Sequence, residues 1–171
     1  MNRKAYLIAV IGALVLILVG VNYTVSRREA LIADGRVVLL SLAPVDPRSL
    51  MQGDYMALRF GVASDIPRGE RGGDAAAADG FAVLTIADDG VGSFKRLHVA
   101  GESLAANEAL LRFRFRDSQI KIVTNAYFFQ EGTGARFEAA RFGELRAADD
   151  GTALLTGLRD KEKKVIVVAA K

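Results

Sequence analysis

No charged residue interrupts the chain from Ala5 to Val25, and beyond that run apolar and polar positions alternate in short blocks bounded by Gly, Asp and Pro. A helix rises about 1.5 Å per residue, so about 20 such residues cross a hydrocarbon core of about 30 Å. Arg3 and Lys4 flank one end of the run and Arg27 and Arg28 the other, while Tyr6 and Tyr23 stand where interfacial aromatics belong. The pattern predicts an N-terminal transmembrane helix within residues 1–27. Residues 28–35 read as a linker or short helical continuation, and residues 36–171 as a separate domain.

That domain reads as strands. Arg36 to Ala43 is apolar and rich in β-branched residues, which suits a buried strand. From Asp54 to Val62 the chain alternates, with Tyr55, Ala57 and Arg59 on one face and Met56, Leu58 and Phe60 on the other. Phe81 to Ala87 and Ser93 to Ala100 form a hairpin across Asp88-Asp89-Gly90. In Arg112-Phe113-Arg114-Phe115-Arg116 the period of two sends phenylalanines to a core and arginines to solvent, and Asp117-Ser118 turns this strand into Gln119–Asn125. Residues Glu131 to Phe142 are the one helical segment expected in the domain. Gly143–Ala147, Thr152–Leu158 and Lys164–Ala169 complete the strands. Many short strands between turn signals predict a mostly β fold, a small barrel or sandwich with one short helix.

The apolar run is longer than the core of a cleaved leader, and its C-terminal flank, Asn22-Tyr23-Thr24-Val25, lacks the small residues of a cleavage site. The anchor is therefore expected to stay in the mature chain. The chain has no cysteine, which excludes disulfides and thiolate metal sites. The net charge of +3 owes part of its value to the anchor flanks and does not imply nucleic acid.

The string Gly53-Asp54-Tyr55-Met56-Ala57-Leu58-Arg59-Phe60 resembles the signature of the bacterial GDYXXLXY family, with Phe60 in place of the last Tyr. A second stretch, Asn125 to Glu138, is similar to that family's aromatic strand, Glu-Gly-x-Gly turn and following Glu. Tyr127, Phe128, Glu131, Gly132, Gly134 and Glu138 are the matching positions. The resemblance implies a single-pass protein of the inner (cytoplasmic) membrane whose C-terminal domain lies outside the cytoplasm. It also implies a multi-spanning membrane-protein partner. It supplies no reaction.

Chemistry is sparse. Glu131 and Glu138 are seven apart and would share one face of a helix, as a cation site or acid–base pair. The plainer reading has Glu131 at a helix N-terminus and Glu138 paired with Arg141 or Arg136. A more distant resemblance is to type I signal peptidases, in which a serine lies eight residues before a Gly-Asp and a Lys-Arg on a later strand supplies the base. Lys95-Arg96 matches the second block, but Val45 occupies the serine position, and Ser41 and Ser49 are each four residues away. His98 is the sole histidine and reads as a filler on its strand. Arg112, Arg114 and Arg116 form a basic strand face, suited to solvent, anionic lipid or an acidic partner. No aromatic layer for nucleic acid accompanies them, because Phe113 and Phe115 lie on the opposite face. The expectation is a non-catalytic accessory or interaction module without cofactor or metal, with a membrane-anchored Ser/Lys peptidase as the alternative.

Overall fold

The computed structural model describes residues 3–43, 55–67, 79–116 and 119–167. The chain divides into two compact units, residues 1–35 and 36–171. The first is a single helix, α1, Arg3–Asp34. At about 1.5 Å per residue its 32 residues extend about 48 Å, more than the hydrocarbon core requires. It is long and apolar enough to cross a membrane. Asn22 and Thr24, the polar side chains in its apolar stretch, donate to the carbonyls of Leu18 and Gly20 four residues back. Each thus returns one donated hydrogen bond to the helix backbone. The residues expected as a linker are the last turns of α1: the helical ladder continues past Arg27 and Arg28 to Asp34.

The second unit is mostly β. Its strands are β1 (Arg36–Ser41), β2 (Tyr55–Ala57), β3 (Gly80–Ile86), β4 (Gly92–Leu97), β5 (Glu108–Arg116), β6 (Gln119–Ile122), β7 (Ala126–Phe128), β8 (Phe142–Ala147) and β9 (Ala153–Arg159). They form sheets of order β1-β8-β9, β2-β7 and β4-β3-β5-β6, all with antiparallel neighbours, and curl into a half-barrel. A short helix α2, Val62–Asp65, comes after the first motif. Leu39 joins the first sheet to the turn between β3 and β4 through its amide on the Gly90 carbonyl, 2.9 Å.

The alternation seen in the sequence places the core. Val38 and Leu40 of β1, Leu84 of β3, Leu111 and Phe113 of β5, and Leu145 of β8 are buried together. Gly143 is required where β8 crosses the motif strand: a Cβ there would lie 2.8 Å from the Phe60 ring and 3.1 Å from Leu155.

Three segments depart from expectation. The strand expected from Asp54 to Val62 is regular only over Tyr55–Ala57. Phe60 makes one further bridge, to Leu42, before the chain turns into α2. The helix expected over Glu131–Phe142 is a 3-10 helix confined to Gly134–Ala139. Glu131 and Gly132 form a turn before it, and Phe142 is drawn into β8 opposite Ser41. Six residues beside glycines make too little helical ladder to resist that sheet pairing. The last expected strand reduces, among the described residues, to one bridge between Arg159 and Val165.

Candidate functional site

The two motif stretches are hydrogen-bonded neighbours. Tyr55 pairs with Phe128, Met56 with Tyr127 and Ala57 with Ala126. The Leu58 amide then donates to the Asn125 carbonyl at 2.7 Å. Alternation divides this ribbon by face. Met56, Leu58 and Phe60 are buried, with Leu58 at 5 % exposure, so the Leu of the motif is a packing residue. On the outer face Tyr55 is half-buried, and its ring centroid lies 5.7 Å from that of Phe128, which is 74 % exposed. Gly53, Asp54 and Ser49 lie outside the described residues.

Phe137 holds the second motif in place. It is 1 % exposed and stacks on Phe129 at 5.0 Å, with Tyr127 tilted against it at 5.2 Å. Gly132 has φ +77, the left-handed conformation a glycine adopts freely, and turns the chain from β7 into the 3-10 helix. Gly134 opens that helix. Glu131 and Glu138 are exposed, and Glu131 is outside the helix, so the shared α-helical face expected for them is not formed. Arg141 does not pair with the Glu138 carboxylate. Its guanidinium donates to the backbone carbonyls of Glu138 (3.0 Å) and Ala140 (2.7 Å), neutralising the C-terminal end of the short helix. Among the described residues no group of His, Cys, Asp and Glu could hold a metal ion.

Lys95 belongs to an ion-pair cluster that the sequence pattern did not disclose. Its ammonium donates to Glu108 at 2.8 Å. Arg96 donates to Glu108 at 3.0 Å and to Glu102 at 2.7 Å. The Ala105 amide adds a bond to the second Glu108 oxygen, 3.0 Å, and Arg36 reaches the Glu108 backbone carbonyl, 2.8 Å. The Glu108 side chain is only 3 % exposed. Lys95 first, with the Ala105 amide and Arg96, holds its carboxyl down at about 2, against an ordinary 4.5. The cluster ties β1, β4, β5 and the loop before β5 together. Lys95 is therefore the charged half of an ion pair, whereas a Ser/Lys mechanism needs a neutral amine on a serine. Ser41 sits at the end of β1, where its carbonyl accepts from Gly61 and its hydroxyl lies beside that glycine. A replacement of Lys95 thus takes one charged partner from the buried Glu108 carboxylate. Same-strand alternation places Glu108 on the face of Arg112, but only the fold brings Lys95 to it.

The basic face of β5 lines a groove of about 440 Å³. Arg112, Arg114 and Arg116 line it together with Lys121 of β6, and among the described residues no carboxylate does. Lys121 stands directly opposite Arg114 in the β5–β6 register. Arg116 is neutralised by Asp79, with two bonds of 2.8 and 3.0 Å that lower the Asp79 carboxyl. The β8–β9 turn also lines the groove, through Gly151 and Thr152. The carbonyl of Gly151, a residue at φ +80, accepts from the Arg112 amide at 2.9 Å, and the glycine packs so closely on Phe81 that a Cβ would lie 2.8 Å from its ring. Asn125, from the second motif, and the left-handed Val123 are also among the lining residues. The two-residue turn expected at Asp117-Ser118 implies the Arg114–Lys121 register, so this part of the groove was open to sequence reasoning. The wall from residues 151–153 was not. His98 buries an Nδ1 without a hydrogen-bond partner among the described residues, beside Phe81.

A family model described as GDYXXLXY protein matches residues 17–158. No curated protein and no solved structure matches the chain.

Proposed function

Because this chain belongs to the GDYXXLXY family, we propose that it is a non-catalytic, membrane-anchored accessory or interaction module of a bacterial envelope membrane-protein assembly. In this reading α1 is a single-pass anchor in the inner membrane, the β unit lies outside the cytoplasm, and the partner is a multi-spanning membrane protein rather than nucleic acid. The observation that carries the reading is the outward face of the motif ribbon. Phe128 is 74 % exposed and held against Tyr55 of the signature, while the inward residues of the same ribbon fill the core. A large apolar side chain kept in water at the centre of two family motifs suits an anchor for a partner's pocket. The apolar helix supports a partner that shares the bilayer.

The chain's lack of cysteine makes a site-specific test simple. A Phe128→Cys variant carrying a photoactivatable thiol reagent, cross-linked in intact native membranes, should yield one predominant adduct with a multi-spanning protein. The same label at Lys161, an exposed turn residue, should not. Equal, diffuse labelling from both positions would refute the reading.

A further inference from the structure

We infer that the groove between the β5–β6 hairpin and the β8–β9 turn is a binding site for a phosphate-bearing anion, seated on the guanidinium groups of Arg112 and Arg114. Three features of the groove point to that chemistry. Among the described residues four cations line it and no carboxylate does. Among the described residues only Arg116 of the three arginines has a salt bridge, to Asp79; Arg114 acts on the same Asp79 only at longer range, and Arg112 has no such partner. Lys121 of β6 stands opposite Arg114 in the ladder, so the groove is lined from both strands of the hairpin.

Geometry favours phosphate over isolated carboxylates. Alternate residues of a strand lie about 7 Å apart, so Arg112 and Arg114 present two planar forks along one face. Each fork matches two oxygens of a phosphate, and one compact group carrying up to two charges satisfies both. Asn125, a residue with a neutral amide, is also among the lining residues. The Leu58 amide on the Asn125 carbonyl ties that residue to the signature strand, so the family motif would position the groove from beneath. Val123 lines the groove too, with φ 51, a conformation that a β-branched residue adopts only when its surroundings impose it. The phosphate can belong to a lipid headgroup or to a soluble compound, because both present the same oxygens.

The inference deepens the interaction-module reading and rests on it, but its test is independent of any partner protein. Full-length chain in neutral maltoside micelles is heated while tyrosine near-UV circular dichroism follows the β unit. One arm adds inorganic pyrophosphate, a second adds phosphatidylglycerol to the micelle, a third adds a glutamate-rich peptide, and sodium chloride matches ionic strength throughout. A phosphate probe at about tenfold excess over its Kd should raise the midpoint by about 5 °C. The rise should vanish in the Arg112→Gln/Arg114→Gln variant, whose substitutions are on an exposed face and should leave the unliganded midpoint nearly unchanged. It should persist in Lys161→Gln/Lys164→Gln, which removes the same charge elsewhere. A response to pyrophosphate alone identifies a soluble ligand, and a response to the lipid alone identifies a headgroup. No rise with either phosphate probe, a rise with the acidic peptide only, or equal loss in both double variants overturns the inference. The cross-linking at residue 128 reads the partner separately, so a failed groove leaves that result standing.

Discussion

Phe137 offers the sharpest measure of how the second motif is held. It is 1 % exposed, the largest fully buried side chain among the described residues, and it carries two aromatic contacts, to Phe129 and Tyr127. Phe137→Ala removes the ring from a site bounded by a 3-10 helix and β7. Truncations of this kind cost about 3–5 kcal/mol. For a unit of this size each kcal/mol lowers the midpoint by about 3–4 °C, so the variant should melt about 9–20 °C below the native protein. The stacked geometry adds a specific contribution: a Phe137→Leu/Phe129→Leu double-mutant cycle should show a coupling of about 0.5–1.5 kcal/mol. Urea unfolding of the full chain in micelles, read from tyrosine near-UV dichroism, provides both numbers. A loss under about 1 kcal/mol for Phe137→Ala, or strictly additive Leu substitutions, would refute the claim that this ring locks the second motif to the core.

Leu58→Ala should cost about 2–5 kcal/mol, because the motif leucine is buried, whereas Arg59→Ala on the exposed face should change stability by less than about 0.5 kcal/mol; parallel urea curves compare them. Glu108, with its carboxyl held at about 2 against an ordinary 4.5, contributes stability that is complete above about 4.5 and is lost as pH falls through that window towards 2. The stability difference between native protein and Glu108→Gln should therefore shrink on acidification from about pH 5 to about 2, and Lys95→Met should move the loss to higher pH; a difference constant with pH would remove the ion pair from the account. Val123→Gly relieves a left-handed β-branched residue that is already exposed, so it should leave stability unchanged or raise it by up to about 1 kcal/mol, and a clear loss in thermal unfolding would contradict the strain.

Local rules describe this chain as far as the faces of its elements. The uncharged run after Lys4 specifies a long apolar helix whatever surrounds it, because its backbone bonds are internal and its side chains almost uniformly apolar. Asp88-Asp89-Gly90 and Asp117-Ser118 specify hairpins, and the strict period of Arg112 to Arg116 specifies which side chains face the core. The same rule divides the signature strand correctly into buried Met56, Leu58 and Phe60 and outward Tyr55, Ala57 and Arg59. The rules fail where a short segment is contested. Residues 131–142 carry helix-forming residues, but the packing of Phe137 against Tyr127 and Phe129 and the pairing of Phe142 with Ser41 leave room for a 3-10 helix only.

Which residues meet at a site is a matter of sheet order. Glu108 and Lys95 are thirteen positions apart, and Arg112 and Gly151 further still; nothing in local periodicity states that the first two pair or that the latter two share a wall. These contacts depend on how the strands are arranged and on the close approach that Gly151 permits, both set by burying one shared core. A long apolar helix, a mostly β domain and a basic strand face were therefore legible in the amino acids alone, because each rests on neighbours within one element. The ion pair that claims Lys95 for a buried carboxylate, and the groove that encloses the basic face, join elements distant in the chain and exist only once those elements are packed.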